Sequence, residues 1–150
     1  ITIRFEFSFA IGAVVGLLHN LLITIGLYCL FHRQFNMTTI AALLTVLGYS
    51  VNDTIVVFDR IRETRKLRQG RLDADIVNES VNITLSRTLL TSLTTLLSVT
   101  ALMIFGGGAI FDFALAMSIG VVAGTYSSTF IASPVMLAVR PKDTPGQSKK

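Results

Sequence analysis

The chain has 150 residues, 51% of them hydrophobic and 15% charged, with a mean hydropathy of +0.65 and a formal net charge of +4. Soluble domains carry about 25% charged residues, so this composition excludes an ordinary soluble domain and points to a membrane. The basic surplus does not argue for nucleic acid, because the cations lack the interleaved aromatics that stack on bases.

A membrane-spanning helix needs about 20 predominantly apolar residues, and four windows reach that length. The chain opens on Ile1, not Met, and residues 1–7 read as the cytoplasmic end of a preceding helix, as expected of a fragment of a larger protein. Residues 8–31 follow without a formal charge. They are too long for a signal peptide and lack its small-residue cleavage site. Gly12-x-x-x-Gly16 in this window is a packing face, since small residues at that spacing let helices approach closely in lipid. His19 and Asn20 lie near its middle, and a midplane histidine can relay protons or simply pack. Cys29 is the single cysteine and supports neither a disulfide nor a metal site.

A short connection at "HRQFN" leads to residues 37–58, whose one charge is Asp53. Residues 59–84 form a basic cytoplasmic loop: "RIRETRKLRQGR" extends the preceding helix to near Gly70, and the chain restarts with Asp73 as a candidate N-cap. Ile76, Val77, Val81 and Ile83 form a partial apolar stripe, which predicts an interfacial helix turning into the next span. Residues 85–105 carry only Arg87, and "GGGAIFD" connects them to residues 113–139, which carry no charge. This last window has a second small-residue pair, Gly120-x-x-x-Gly124, and Pro134, which predicts a bend. Residues 140–150 read as a polar cytoplasmic tail.

Four spans place both ends of the chain on one side. That side collects Arg4, Arg60, Arg62, Arg65, Lys66, Arg68, Arg71, Arg87, Arg140, Lys142, Lys149 and Lys150, and the other side holds only Arg33. Positive loops stay cytoplasmic, so the termini and the middle loop are assigned to the cytoplasm.

Two polar stripes stand out. In residues 37–58, Thr38, Ala42, Thr45, Tyr49, Asn52, Asp53 and Val56 project to one side at helical spacing, with Ser50 and Thr54 breaking the pattern. In residues 85–105, Arg87, Thr88, Thr91, Thr95 and Ser98 continue a line from Thr84. Such a line serves interhelical hydrogen bonding or a wettable seam for protons, and the composition leaves both open.

Asp53 lies about 8 Å inside the cytoplasmic end of its span at 1.5 Å per residue, and Arg87 lies at the cytoplasmic start of the next. An ionised carboxylate in a span costs about 2.5–3.5 kcal/mol, and Arg87 is the one cation within any span, hence the expected partner. Burial favours a protonated carboxyl and a nearby guanidinium favours the ionised one, so a change in their separation would load or release a proton. Thus Asp53 and Arg87 are the candidate proton-relay pair, supported by Asn52, Tyr49, Thr88, Thr91, Thr95 and His19. No metal ligands sit at a ligand spacing and no cofactor is expected, the coupling ion being the proton. An intramembrane aspartyl protease needs a second membrane acid, which these windows lack.

Three segments carry a family resemblance: "GYSVNDTIVVFDRIRE" at residues 48–63, "LSRTLLTSLTT" at 85–95 and "IGVVAGTYSSTFIASP" at 119–134. The chain resembles the membrane domain of the SecF proteins in the SecD/SecF family, over nearly its whole length. The resemblance implies an all-α polytopic membrane protein whose four transmembrane helices form part of a bundle like that of the resistance–nodulation–division transporters. It implies partnership with SecD, separate or fused, with the SecYEG channel and with a translocating preprotein, and a role driving late export with the proton-motive force across the bacterial cytoplasmic membrane. The family's membrane acid and arginine map onto Asp53 and Arg87. One departure is that members often have His-Asp where this chain has His19-Asn20. A related proton-driven efflux transporter and a structural scaffold of the translocon are the other readings; the scaffold requires Asp53→Asn to leave export intact.

Overall fold

In hydrocarbon a backbone must satisfy its own N–H and C=O groups, so apolar stretches of this length become helices. The computed structural model describes residues 2–68 and 73–139, with side chains from Phe7 onward. It contains α1 (Thr2–Leu30), α2 (Met37–Leu67), α3 (Ala74–Phe105), α4 (Gly108–Ser127), a π-helical turn (Ser128–Ala132) and α5 (Ser133–Val139). Four stretches are long and apolar enough to cross a membrane: Phe7–Leu30, Met37–Leu67, Ala74–Phe105 and Gly108–Val139. The molecule is an all-helical, multi-pass membrane protein.

The turns follow from local chemistry. His32 takes a left-handed conformation, φ 53°, after α1. Asn36 then caps α2, its Oδ1 accepting from Thr39 N at 2.9 Å. Gly106 and Gly107 alone separate α3 from α4, and a Cβ on Gly106 would meet the Leu102 carbonyl at 2.5 Å. The last span widens to π geometry immediately before Pro134. The proline ring would clash with the carbonyl four residues back, and a wider turn relieves that clash.

The connection between α2 and α3 differs from the expected one. Residues 74–84 are not a separate interfacial helix, because α3 runs unbroken from Ala74, with Asp73 at its N-cap. The reason is tertiary. Ile76 and Val77 are buried in one cluster with Phe58 and Ile61 of α2 and Met136 of α5, so the start of this stripe faces the bundle, while Ile83 at its end is exposed. Arg68 pairs with Glu79 at 2.7 Å across the same junction. Gly70, Arg71 and the tail at 140–150 lie outside the described residues, as does the side chain of Arg4.

α4 packs against α1, α2 and α3. Its glycines make this possible: a Cβ on Gly120 would overlap Val46 of α2, and one on Gly124 would lie 2.9 Å from Asn20 Nδ2 of α1. On α1, a Cβ at Gly12 would meet the Ala132 carbonyl at 2.8 Å, and one at Gly16 the Ala132 Cβ at 3.1 Å. Both glycine pairs are therefore helix-packing faces. α1 buries one residue per turn: Ser8, Gly12, Gly16, Asn20, Thr24 and Tyr28. Leucines such as Leu22, Leu44, Leu90 and Leu97 point away from the bundle and suit lipid.

Two apolar clusters form the core. One gathers Tyr28, Ala42, Val46, Val99, Met117 and Val121 toward the α1–α2 and α3–α4 turns. The other gathers Val57, Phe58, Ile61, Ile76, Val77 and Met136 toward the opposite end. A polar layer separates them.

Candidate functional site: a carboxylate held by two hydroxyls

The buried face of α2 runs through Thr39, Ala42, Val46, Ser50, Asp53 and Val57. It is rotated from the expected stripe. Ser50 and Thr54, which broke that pattern, are buried, whereas Thr45 and Asn52 are exposed. Docking of α4 explains the rotation, since Gly120 and Gly124 bring that helix onto Val46 and Ser50. Closeness of approach sets which side faces inward, and polarity follows. α3 likewise buries Thr84, Thr88 and Ser92, and leaves Arg87, Thr91 and Ser98 exposed.

Asp53 is 8% exposed and sits at the meeting point of three helical stretches. Thr88 Oγ1 of α3 donates to its Oδ1 at 3.1 Å. Ser128 Oγ, the first residue of the π turn, donates to its Oδ2 at 2.5 Å. Each carboxylate oxygen thus has one hydroxyl partner, each from a different helical element. The Ser128 hydroxyl has a second acceptor within reach, the Thr125 carbonyl at 3.2 Å. It carries one hydrogen and can satisfy one acceptor well at a time.

The expected ion pair is absent: Arg87 is exposed and makes no ion pair with Asp53. Successive helix residues point about 100° apart, so aiming Thr88 at the carboxylate turns Arg87 away from it. Of the other candidates, Tyr49 hydrogen-bonds Ser92 at 3.2 Å. Thr91 and Thr95 donate to carbonyls of their own helix, Arg87 O and Thr91 O, so their stripe is not a run of interhelical bonds. Asn52 is exposed. His19 is half-buried, with its ring 6.5 Å from that of Tyr126 and its Nδ1 lacking a protein partner.

Sequence reasoning missed Ser128, Ser92 and Thr125. Ser92 and Thr125 hydroxyls meet at 2.5 Å, and Thr125 donates on to the Val121 carbonyl at 2.8 Å. A signal for Ser128 was present, because Gly120, Gly124 and Ser128 recur every four residues on one helix face. Among the described residues, no three His, Cys, Asp or Glu side chains gather where they could hold a metal ion.

The family described as "Protein export membrane protein SecD/SecF, C-terminal" matches residues 1–142. The chain belongs to the SecD/SecF family. The SecF protein translocase subunit of Cereibacter sphaeroides is 51% identical over 91% of this chain and 42% of its own length. That of Rhodothermus marinus is 51% identical over 93% of this chain and 47% of its own. The crystal structure of SecDF from Thermus thermophilus, titled a translocon-associated membrane protein, superposes with a TM-score of 0.83 at 47% identity. The match covers 92% of this chain and 19% of that one. The chain therefore spans less than half the length of the SecD/SecF family members it matches.

Proposed function

We propose that the chain is the C-terminal membrane portion of a SecF-like subunit of the Sec translocase, a transport component and not an enzyme. It lies in the bacterial cytoplasmic membrane with its two ends in the cytoplasm, and uses the proton-motive force to promote late stages of protein export. The coupling ion is the proton. The observation that carries this reading is the buried Asp53 carboxylate, bonded to hydroxyls of α3 and of the π turn.

Those contacts suit a proton-driven switch. When the carboxylate is ionised, both hydroxyls donate to it. When Oδ2 takes a proton, it becomes the donor, and Ser128 turns its hydrogen to the Thr125 carbonyl. Protonation thereby reverses a hydrogen bond between α2 and the π turn. Moving one charge through the membrane field supplies about 2.3 kcal/mol per 100 mV, enough to bias two packings that differ by a few kcal/mol.

Arg87 acts from the exposed face of α3 in this reading. An exposed guanidinium on a face shared with Thr91 is costly against lipid. Partner helices suit that face better, and the SecD portion, separate or fused as in the SecDF chain of Thermus thermophilus, is the assigned partner. A shift of those helices changes the field that Arg87 exerts on Asp53. SecYEG and the preprotein complete the assembly.

The test is Asp53→Asn in the full-length chain, with preprotein translocation measured in vesicles with and without an imposed proton gradient. The variant is expected to insert normally and to lose the gradient-dependent completion of export. An undiminished response to the gradient would return the chain to a scaffolding role. Substrate-dependent uptake of small molecules in the same vesicles would favour an efflux transporter.

A further inference from the structure

Asp53 has two polar neighbourhoods one helical turn nearer the α1–α2 and α3–α4 turns. The first is closed. Thr125 spends its hydrogen on the Val121 carbonyl, so Ser92 donates to Thr125 and Tyr49 donates to Ser92. Every donor in that chain is used, and the chain ends on a backbone carbonyl.

The second is open. Asn20 of α1 is 0% exposed and Ser50 of α2 is 1% exposed, yet Asn20 Nδ2 and Ser50 Oγ have no hydrogen-bond partner among the described residues. Both face Gly124 of α4: the point where a Cβ would stand is 2.9 Å from Asn20 Nδ2 and 3.5 Å from Ser50 Oγ. An orphaned buried polar atom forfeits its hydration without a compensating hydrogen bond. Two of them converging on one glycine are the usual surroundings of an internal water, which needs two to four polar partners. Ser50 lies three residues before Asp53, on the same face of α2.

Beyond Asn20 the polar groups continue away from Asp53. Thr24 donates to the Asn20 carbonyl at 2.7 Å, one turn further along α1. One turn beyond that, the Tyr28 hydroxyl meets Thr39 Oγ1 at 3.1 Å, and Thr39 donates to Asn36 at 3.0 Å, at the exposed start of α2. Thr24, Tyr28 and Thr39 are all 0% exposed. Polar side chains therefore recur along the α1–α2 seam in separate groups: Tyr28 with Thr39 and Asn36, Thr24 with the Asn20 carbonyl, and then Asn20 Nδ2 and Ser50 Oγ.

We infer that Asn20 and Ser50 hold an internal water beside Gly124, and that this water extends the polar surroundings of Asp53 toward the groups spaced along the α1–α2 seam on the way to the outer face. The relay half of this inference rests on the proton-driven reading above, and the water site does not. Asn20 and Ser50 position the water. Asp53 remains the group that binds the proton.

The test uses the full-length chain with its partner subunits in vesicles. Infrared difference spectra in ordinary and heavy-oxygen water identify an internal water by the isotope shift of its O–H stretch. The parent is expected to show such a band, and Ser50→Ala, which deletes one oxygen, to lose it. Ser50→Ala is also expected to slow the gradient-driven step about tenfold, the scale of one lost hydrogen bond. Asn20→Leu, of similar volume, repeats the measurement, and Ser50→Ala carries it alone if that variant fails to fold. A band that survives in Ser50→Ala overturns the water site. A lost band with an unchanged gradient-driven rate overturns the relay. A gradient response that survives Asp53→Asn overturns the proton-driven reading and the relay with it, and the band still decides the water site.

Discussion

Asp53 has hydroxyl partners on both oxygens and no cation paired with it among the described residues, so the residues that hold it are separable from the residues that act on it from a distance. Thr88→Val and Ser128→Ala each remove one of its hydrogen bonds. Each is expected to destabilise the bundle by about 1.5–3 kcal/mol, as for a bond to a charged group, read from thermal unfolding in detergent. Ser128→Ala should also weaken gradient-driven export more than Thr88→Val, because only Ser128 has a second acceptor to turn to. Equal effects would remove the hydroxyl reversal from the mechanism. Arg87 is exposed and unpaired with Asp53, so Arg87→Ala is expected to cost less than about 0.5 kcal/mol of bundle stability. It should still abolish the gradient response of the assembled translocase, with Arg87→Lys partial because ammonium and guanidinium hydrate differently. Asp53 and Arg87 were legible as isolated charges in apolar windows. That they do not pair was not legible, because adjacency to Thr88 on α3 decides where Arg87 points.

At the scale of elements, α4 holds the bundle together through residues without side chains. Gly120→Leu places a branched side chain where even a Cβ overlaps Val46. It is expected to unseat α4 from α2 and destabilise by at least about 1–3 kcal/mol, with loss of the Asp53–Ser128 contact as a secondary effect. Gly26→Leu is the control, since a Cβ there meets nothing within 4 Å, and it should leave unfolding unchanged. Unaltered unfolding in Gly120→Leu would mean that α4 docks elsewhere. The spacing of these glycines was visible in the sequence as a packing face. The helix each would face was not visible, because small-residue motifs name no partner. The π turn was foreshadowed by Pro134 as a bend, but its aim at Asp53 comes from where α2 lies. The continuous start of α3 was also hidden. Ile76 and Val77 look the same on a helix at a membrane surface as on one packed against Phe58 and Ile61.

For the whole molecule, the orientation proposed from loop charges makes a direct prediction. In a full-length background freed of cysteines, Cys29→Ser included, an Arg33→Cys variant should react with an impermeant maleimide from outside intact cells. Cysteine at position 66 should react only in inverted vesicles, and the reverse pattern would invert the topology. Arg33 itself joins the two turns at that end, lying 3.5 Å from Asp112 and 4.8 Å from the Phe111 ring centroid. By itself the sequence determined that the chain is helical, that it spans a membrane four times, and which family it resembles. Apolar length and charge placement are properties of composition along one dimension, and a bilayer reads them directly. Only the tertiary structure decided which face of each span turns inward, and hence that Asp53 meets Thr88 and Ser128, not Arg87. Helices in hydrocarbon gain little from hiding apolar surface, so the inward face is chosen by how closely backbones can approach. That choice rests on pairs of residues far apart in the chain, such as Gly120 with Val46 and Gly124 with Asn20.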